Sequence, residues 1–226
     1  MRVLAIDTAL AACSAALLDT ENGGVIASES LPMTRGHAEA LLPLLERVMK
    51  QPGVSFSDID RVAVTTGPGS FTGLRVGIAA ARGIALAADM PAVGVSTLSA
   101  FAAPHLAEDD RIPVVAAIDA RNDHVYLQVF APGCRTPTPR FATVGEAVRA
   151  AAESRACIVG SAAQAVAAGL TSHDFTPAKI DLRATPDIAW VARMGAVVPE
   201  GQAPPKPQYL RAADAQPQNA VQLPRR

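Results

Sequence analysis

Two stretches together decide the fold: Val3-Leu4-Ala5-Ile6-Asp7 and Val114-Val115-Ala116-Ala117-Ile118-Asp119. Each is a short apolar run suited to a buried strand, and each ends in an aspartate that precedes a hairpin. The predicted elements that follow each stretch have the same order: β-hairpin, helix, strand, helix. Repetition of one α/β unit predicts a duplicated α/β fold made of two halves.

The predicted elements fill both halves. In the first half we expect strands over 13–18, 25–28, 62–66 and 93–95, and helices over 37–50, 71–88 and 96–103. In the second half we expect strands over 125–130 and 158–159, and helices over 144–152 and 162–168. Apolar residues at i, i+3 and i+4 spacing support the helix over 37–50 most clearly.

Composition excludes several classes of protein. Of the 226 residues, 50% are apolar and 18% are charged, which excludes a disordered chain. The net charge of −1 argues against unaided nucleic-acid binding. No apolar run reaches about 18 residues, so no membrane span is expected. The first residues favour a strand over a signal peptide. The three widely separated cysteines disfavour a disulfide scaffold and a zinc site, and favour a reduced, cytoplasmic protein.

A glycine-rich turn is the strongest local motif: Gly67-Pro68-Gly69-Ser70-Phe71-Thr72-Gly73-Leu74-Arg75. It joins a predicted strand to a helix, where free amide groups can bind an anion. It is not a Walker A motif, because no Gly-Lys-Ser/Thr follows. The plainer interpretation is a tight turn in which Ser70 or Thr72 caps the helix. The candidate nucleotide or anion contacts are Asp7, Gly67, Gly69 and Ser70.

Two aspartates stand at equivalent places in the two halves. If Asp7 and Asp119 flank a cleft, their carboxylates could hold a magnesium-bound nucleotide. The alternative is that aspartate simply favours the turn after a strand. The sequence alone leaves both interpretations open.

The helices over 37–50 and 71–88 carry apolar or small residues on more than one face. One face can pack on a sheet, and a second would be exposed unless something covers it. A partner protein and the other half of this chain are both candidates for that cover. A metal pair on the first helix is not expected, because Leu41 rather than a histidine lies four residues after His37.

The motifs together resemble the TsaB (YeaZ) family. The resemblance extends from residue 1 to about 211 and rests on five segments in this order: Leu4-Ala5-Ile6-Asp7-Thr8-Ala9, His37-Ala38-Glu39-Ala40-Leu41-Leu42-Pro43, the glycine-rich turn, Ile118-Asp119-Ala120-Arg121 and Tyr209-Leu210-Arg211. The resemblance implies a duplicated actin/Hsp70-like (ribonuclease H-like) fold with two mixed-sheet subdomains. We expect these subdomains over 1–106 and 107–211, followed by a flexible tail over 212–226.

The resemblance also implies a function. Members of the TsaB family bind and activate a TsaD-like transferase, which places a threonylcarbamoyl group on the adenosine beside the anticodon of certain tRNAs. A TsaE-like ATPase joins them, tRNA is reached only through the complex, and a homodimer is an alternative without the partner. The chain alone is expected to bind no cofactor, although ATP or ADP could lie at the complex interface. The expected interface residues on the first two helices are His37, Leu41, Leu45, Val48, Leu74, Ile78 and Ala81.

One comparison within the resemblance bears on catalysis. TsaD-like chains carry a His-x-x-x-His metal pair where this chain has Thr97 and Phe101. Neither side chain replaces imidazole as a ligand of a transition metal. We therefore expect neither a metal site nor catalytic residues in this chain. The chain also departs from the family where His124 replaces a glutamate.

Two enzymatic functions remain as alternatives. One is an ATP-dependent kinase or phosphatase of the actin-like fold, with Asp7 and Asp119 holding magnesium. The other is an M22-type metallopeptidase, which the missing histidine pair disfavours.

Overall fold

The structure, a computed structural model, describes residues 1–133, 138–172, 175–199, 201 and 203–211. The tail predicted over 212–226 lies outside the described residues. The strands are β1 Arg2–Asp7, β2 Ala12–Asp19, β3 Gly24–Pro32, β4 Arg61–Gly67, β5 Ala92–Ser96, β6 Val114–Arg121, β7 His124–Phe130, β8 Arg140–Thr143, β9 Cys157–Val159 and β10 Ile180–Asp181. The α-helices are α1 His37–Lys50, α2 Phe71–Ala87, α3 Thr97–Glu108, α4 Val144–Ser154, α5 Ala163–Gly169 and α6 Ile188–Val197.

The strands form two sheets with the same internal order. Sheet A has the order β3-β2-β1-β4-β5, and sheet B, taken from the matching edge, has the order β8-β7-β6-β9-β10. In each sheet the first three strands are antiparallel, and the last two run parallel to the central strand. The predicted duplication is confirmed, and the chain has the duplicated actin/Hsp70-like α/β fold.

The central strands β1 and β6 are apolar over Val3–Ile6 and Val114–Ile118, where both faces of each sheet are covered. Side chains alternate between the two faces of a strand. Along β1, Leu4 and Ile6 join the core under α1 and α2, while Val3 and Ala5 join the core under α6. The same alternation divides β6 between α4 and α5 on one face and α3 on the other. A sheet buried on both faces needs a near-continuous apolar run, as these strands have.

The third helix of each half packs on the sheet of the other half. The α3 residues Leu98 and Phe101 pack with β6 of sheet B. The α6 residues Val191 and Ala192 pack with β1 and β4 of sheet A. The predicted boundary between 106 and 107 falls inside α3, which packs on both sheets, because its residue Ala100 belongs to the core of sheet A.

Within the residues that the structure describes, none of the helices combines the length and the apolar character needed to cross a membrane.

Candidate functional site

The glycine-rich turn holds the start of α2 against the loop that follows β1. The Ser70 amide donates to the Ala9 carbonyl at 2.7 Å, and the Thr8 hydroxyl donates to the Gly73 carbonyl at 2.7 Å. The Ser70 hydroxyl accepts from the Gly73 amide at 3.3 Å and so caps the helix. The expectation that Ser70 or Thr72 caps this helix is confirmed for Ser70.

Two glycines of the turn are required by this close approach. A Cβ atom at Gly69 would lie 2.4 Å from the Ala9 carbonyl oxygen, and one at Gly73 would lie 2.1 Å from the Thr8 carbonyl oxygen. Backbone at that distance leaves no room for any side chain. The glycines therefore have a structural purpose within the chain itself, and a nucleotide or anion contact at this turn stays a prediction.

Gly67 faces a different neighbour, the C-terminal segment over 203–211. Its backbone φ angle is +111°, which residues with a side chain rarely adopt. A Cβ atom there would lie 2.9 Å from the Gln208 carbonyl oxygen. The Gln208 amide donates to the Thr66 carbonyl at 2.7 Å, and the Gly94 amide donates to the Ala203 carbonyl at 2.7 Å. The segment thus runs alongside the edge strand β5 and reaches the end of β4, beside the glycine-rich turn.

Asp7 lies fully buried at the end of β1. Its Oδ1 atom accepts from the Thr65 hydroxyl at 2.5 Å and from the Ala9 amide at 2.9 Å. Its Oδ2 atom is buried without a hydrogen-bond partner. Burial raises the pKa of this carboxyl, and the bonds from Thr65 and Ala9 and the nearby His37 only partly oppose the rise. The site therefore favours the neutral acid.

The raised pKa of Asp7 predicts a pH-dependent stability. A group whose pKa is higher in the folded state stabilises the protein below its unfolded value of 3.8, and this stabilisation is lost as pH rises through the folded pKa. Asp7→Asn resembles the neutral acid at every pH. We expect the stability of Asp7→Asn relative to wild type to increase with pH, by at most about 1.4 kcal/mol per pH unit.

Urea denaturation between pH 4 and pH 8 measures this effect. The exposed Asp110→Asn variant removes a carboxylate from the surface and serves as the control for net charge. A constant difference between Asp7→Asn and wild type across that range would contradict the assignment.

Asp119 has different surroundings from Asp7. Its side chain is exposed, and its Oδ1 atom accepts from the Arg121 amide at 2.8 Å. That bond spans two residues, as in the turn that aspartate favours after a strand. The two aspartates are equivalent in sequence and topology, but one is buried and the other faces solvent.

The seven predicted interface residues are buried within the chain, and their role in an interface stays a prediction. Each is less than 9% exposed: His37, Leu41, Leu45, Val48, Leu74, Ile78 and Ala81. All except His37 belong to the apolar core between sheet A and the pair α1 and α2, and the His37 ring pairs through Nε2 with the Leu10 carbonyl. The most apolar face of each helix packs inward because sheet A is itself apolar on that side.

The outer surface of α1 and α2 presents other apolar residues. Leu42 on α1 is 64% exposed, and Leu86 on α2 is 85% exposed. A groove of about 540 Å³ lies beside Leu42 and is lined by Leu42, Ile84 and Phe56 among others, whereas Leu86 lies outside its lining. The helix pair therefore carries exposed apolar residues, and we call Leu42, Phe56, Ile84 and Leu86 the outer helix surface.

The two positions matched to a metal-binding histidine pair are buried. Thr97 is 0% exposed and Phe101 is 1% exposed, and the Phe101 ring packs in the core between α3 and sheet B. These residues do not fit a metal ion, because neither supplies a nitrogen or thiolate ligand. Within the described part of the chain, no group of three or more histidine, cysteine, aspartate or glutamate side chains could hold a metal ion.

Sequence reasoning missed the contacts of the C-terminal segment. The Tyr209 ring lies 5.4 Å from the Phe71 ring at the start of α2, and its hydroxyl accepts from Arg75 Nε at 3.3 Å. The Arg211 guanidinium lies 5.4 Å from the centre of the Phe141 ring on β8. The only sequence signal was the motif Tyr209-Leu210-Arg211, to which no role was assigned.

Comparison with known proteins identifies the family. The family model described as "TsaD: tRNA N6-adenosine threonylcarbamoyltransferase" matches residues 12–154. The "tRNA threonylcarbamoyladenosine biosynthesis protein TsaB" of Escherichia coli (strain K12) is 44% identical over 126 residues, which are 56% of this chain and 53% of that protein. The chain belongs to this family, in its TsaB/YeaZ branch.

Other relatives agree with the TsaB/YeaZ assignment. The protein of the same description from Haemophilus influenzae (strain ATCC 51907 / DSM 11121 / KW20 / Rd) is 39% identical over 127 residues, which are 56% of this chain and 52% of that protein. The match to these curated TsaB relatives spans about half of their length. A crystal structure from Pseudomonas aeruginosa, described as an uncharacterized protein with similarity to peptidase YEAZ, is 28% identical. It superposes with a TM-score of 0.73 over 93% of this chain and 99% of that chain.

Proposed function

We propose that this TsaB-type chain functions in threonylcarbamoyladenosine biosynthesis on tRNA, as a non-catalytic subunit that binds and activates a TsaD-like transferase. The observation that carries the proposal is the outer helix surface. Leucine side chains that are 64% and 85% exposed on adjacent helices leave apolar area in water, and burial against a partner would remove it. The occupant that we assign to it is the TsaD-like subunit, whose family model also matches this chain.

The non-catalytic part of the proposal rests on the chemistry of residues 97 and 101. A threonine and a phenylalanine, both buried, stand where the metal-binding histidines of the catalytic relatives are expected. A chain of this fold without those ligands would act through its partner. A TsaE-like ATPase and a nucleotide at the boundary between subunits belong to the same proposal.

Charge on the outer helix surface is predicted to prevent assembly. In Leu42→Glu and Leu86→Glu, docking would bury an unpaired carboxylate at a cost of several kcal/mol. We expect affinity for the TsaD-like protein of the same cell to fall about 100-fold, with unchanged thermal stability of the chain alone. Size-exclusion chromatography with light scattering on the mixture measures complex formation. Threonylcarbamoyladenosine in tRNA, measured by nucleoside mass spectrometry, reports activity.

The matched control is Leu182→Glu, which replaces a 60% exposed leucine after β10, away from α1 and α2. It should bind the partner as wild type does. Undiminished binding by both Leu42→Glu and Leu86→Glu would refute this surface. Dimers of the isolated wild-type chain that both variants convert to monomers would show that a second copy of the chain uses the same surface.

A further inference from the structure

The C-terminal segment joins two groups of rings and arginines, one from each half of the chain. Tyr209 meets Phe71 and Arg75 on α2, and Arg211 meets Phe141 on β8. One residue separates Tyr209 from Arg211, so their Cα atoms lie within about 7 Å of each other. The two groups are therefore neighbours, joined by the segment that carries Tyr209 and Arg211, and we call the six residues the arginine–aromatic surface: Phe71, Arg75, His124, Phe141, Tyr209 and Arg211.

The side chains of this surface are stacked as planar groups. The Arg75 guanidinium lies 3.7 Å from the centre of the Phe71 ring. The His124 and Phe141 rings are parallel within 6°, with centroids 4.7 Å apart. Ordered rings and guanidinium planes offer flat faces that are already fixed in position, so a ligand that stacks on them orders few side chains when it binds.

Much of this surface remains open to solvent. The Phe71 and Tyr209 residues are 44% and 47% exposed, although both are large and apolar. Arg75 and Arg211 are exposed as well. Half-exposed rings between arginines suit a ligand that is flat, apolar on its faces and negatively charged along its chain. Single-stranded RNA has this chemistry, since its unpaired bases stack on aromatic rings and guanidinium planes and its phosphates carry negative charge.

We propose that the arginine–aromatic surface binds unpaired bases of the tRNA substrate by stacking. The inference rests on the proposed function, which makes a tRNA the substrate of the assembled complex. The surface holds two arginines, Arg75 and Arg211, so it can contact only a few phosphates. Binding should therefore depend weakly on salt at this surface, and the chain should add to the affinity of the complex rather than bind tRNA tightly alone.

The test uses the purified complex of the full chain with its TsaD-like partner and a fluorescently labelled anticodon stem-loop RNA. In fluorescence anisotropy titrations we expect Tyr209→Ala to raise the Kd about tenfold, since one stacked base is lost. Arg211→Ala should act in the same direction. Tyr209→Phe keeps the ring and loses the Arg75 bond, and it should retain the wild-type Kd. The control is Arg193→Ala, because Arg193 lies 5.2 Å from the Trp190 ring in a similar pair on α6.

The outcomes separate this inference from the proposed function. If the wild-type chain and partner form no complex, the proposed function fails, and photocrosslinking of the chain alone to 5-bromouridine RNA, which captures weak contacts, then decides whether the surface binds bases. If the complex forms and Tyr209→Ala and Arg211→Ala bind RNA as wild type does, the inference is overturned. Loss of partner binding in these variants would instead assign the surface to a protein contact. Photocrosslinking with 5-bromouridine RNA gives an independent readout, and crosslinks confined to residues away from Phe71 and Tyr209 would also overturn the inference.

Discussion

Replacement of Gly73 by alanine is expected to lower the free energy of unfolding by about 3 kcal/mol. The added Cβ atom would lie 2.1 Å from the Thr8 carbonyl oxygen, far inside van der Waals contact. The obstacle is backbone rather than the end of a flexible side chain. Relief would require α2 to move away from the loop after β1, and that movement would break the bond from the Thr8 hydroxyl to the Gly73 carbonyl.

The same helix contains the matched control for this prediction. Gly83 also lies within α2, but a Cβ atom there would meet nothing within 4 Å. Gly83→Ala should stabilise the chain by about 0.5–1 kcal/mol, because alanine loses less backbone entropy on folding. Urea denaturation of both variants measures the two effects. Equal stability changes of the same sign would contradict the packing of α2 against Thr8.

Replacement of Arg61 by methionine is expected to lower the free energy of unfolding by about 3 kcal/mol. Arg61 lies on β4 and is 6% exposed. Its Nη1 atom donates to the carbonyls of Gly195 and Val198 at 2.9 Å and 2.5 Å. The last carbonyls of a helix have no partner within the helix and carry partial negative charge. A buried cation that binds them fixes the end of α6 on sheet A.

The single tryptophan of the chain reports directly on this contact. Trp190 lies on α6, so its fluorescence emission should shift to longer wavelength at lower urea in Arg61→Met than in wild type. Arg61→Lys keeps the charge, but its side chain is shorter and lacks the planar guanidinium group. Its unfolding should therefore occur at a urea concentration between those of Arg61→Met and wild type. Wild-type stability in Arg61→Met would show that α6 is held by its apolar face alone.

The spacing of apolar residues along the chain was sufficient to predict most of the helices and strands. The helix predicted over 37–50 is α1, and the helix predicted over 71–88 is α2 with one residue fewer. The repeat of an apolar run that ends in aspartate was sufficient to predict the duplication, because two halves with the same order of elements are expected to form sheets with the same strand order. The helix α6 was not predicted, although Ile188, Val191, Ala192 and Gly195 have i, i+3, i+4 and i+7 spacing after the capping Asp187.

The spacing of apolar residues could not predict which individual side chains are buried. Leu41 and Leu42 are adjacent leucines on α1, but the first is 1% exposed and the second is 64% exposed. Apolar residues occur on more than one face of that helix, so its sequence does not say which face meets the sheet. The seven residues predicted for the interface lie on the faces that pack inward. For the same reason, Asp7 and Asp119 are alike in sequence but differ in burial.

The sequence by itself determined most of the elements, their repetition and the family, because these depend on residue type and spacing along the chain. Tertiary structure alone decided which sheet each third helix covers, which side of α1 and α2 faces solvent, and where the segment 203–211 lies. These features depend on contacts between residues far apart in the chain. The Arg61 guanidinium reaches the Gly195 carbonyl across 134 positions, and Tyr209 meets Arg75 across the same separation. Such contacts depend on how distant parts of the chain pack together, so they cannot be predicted from the spacing of residues along the chain.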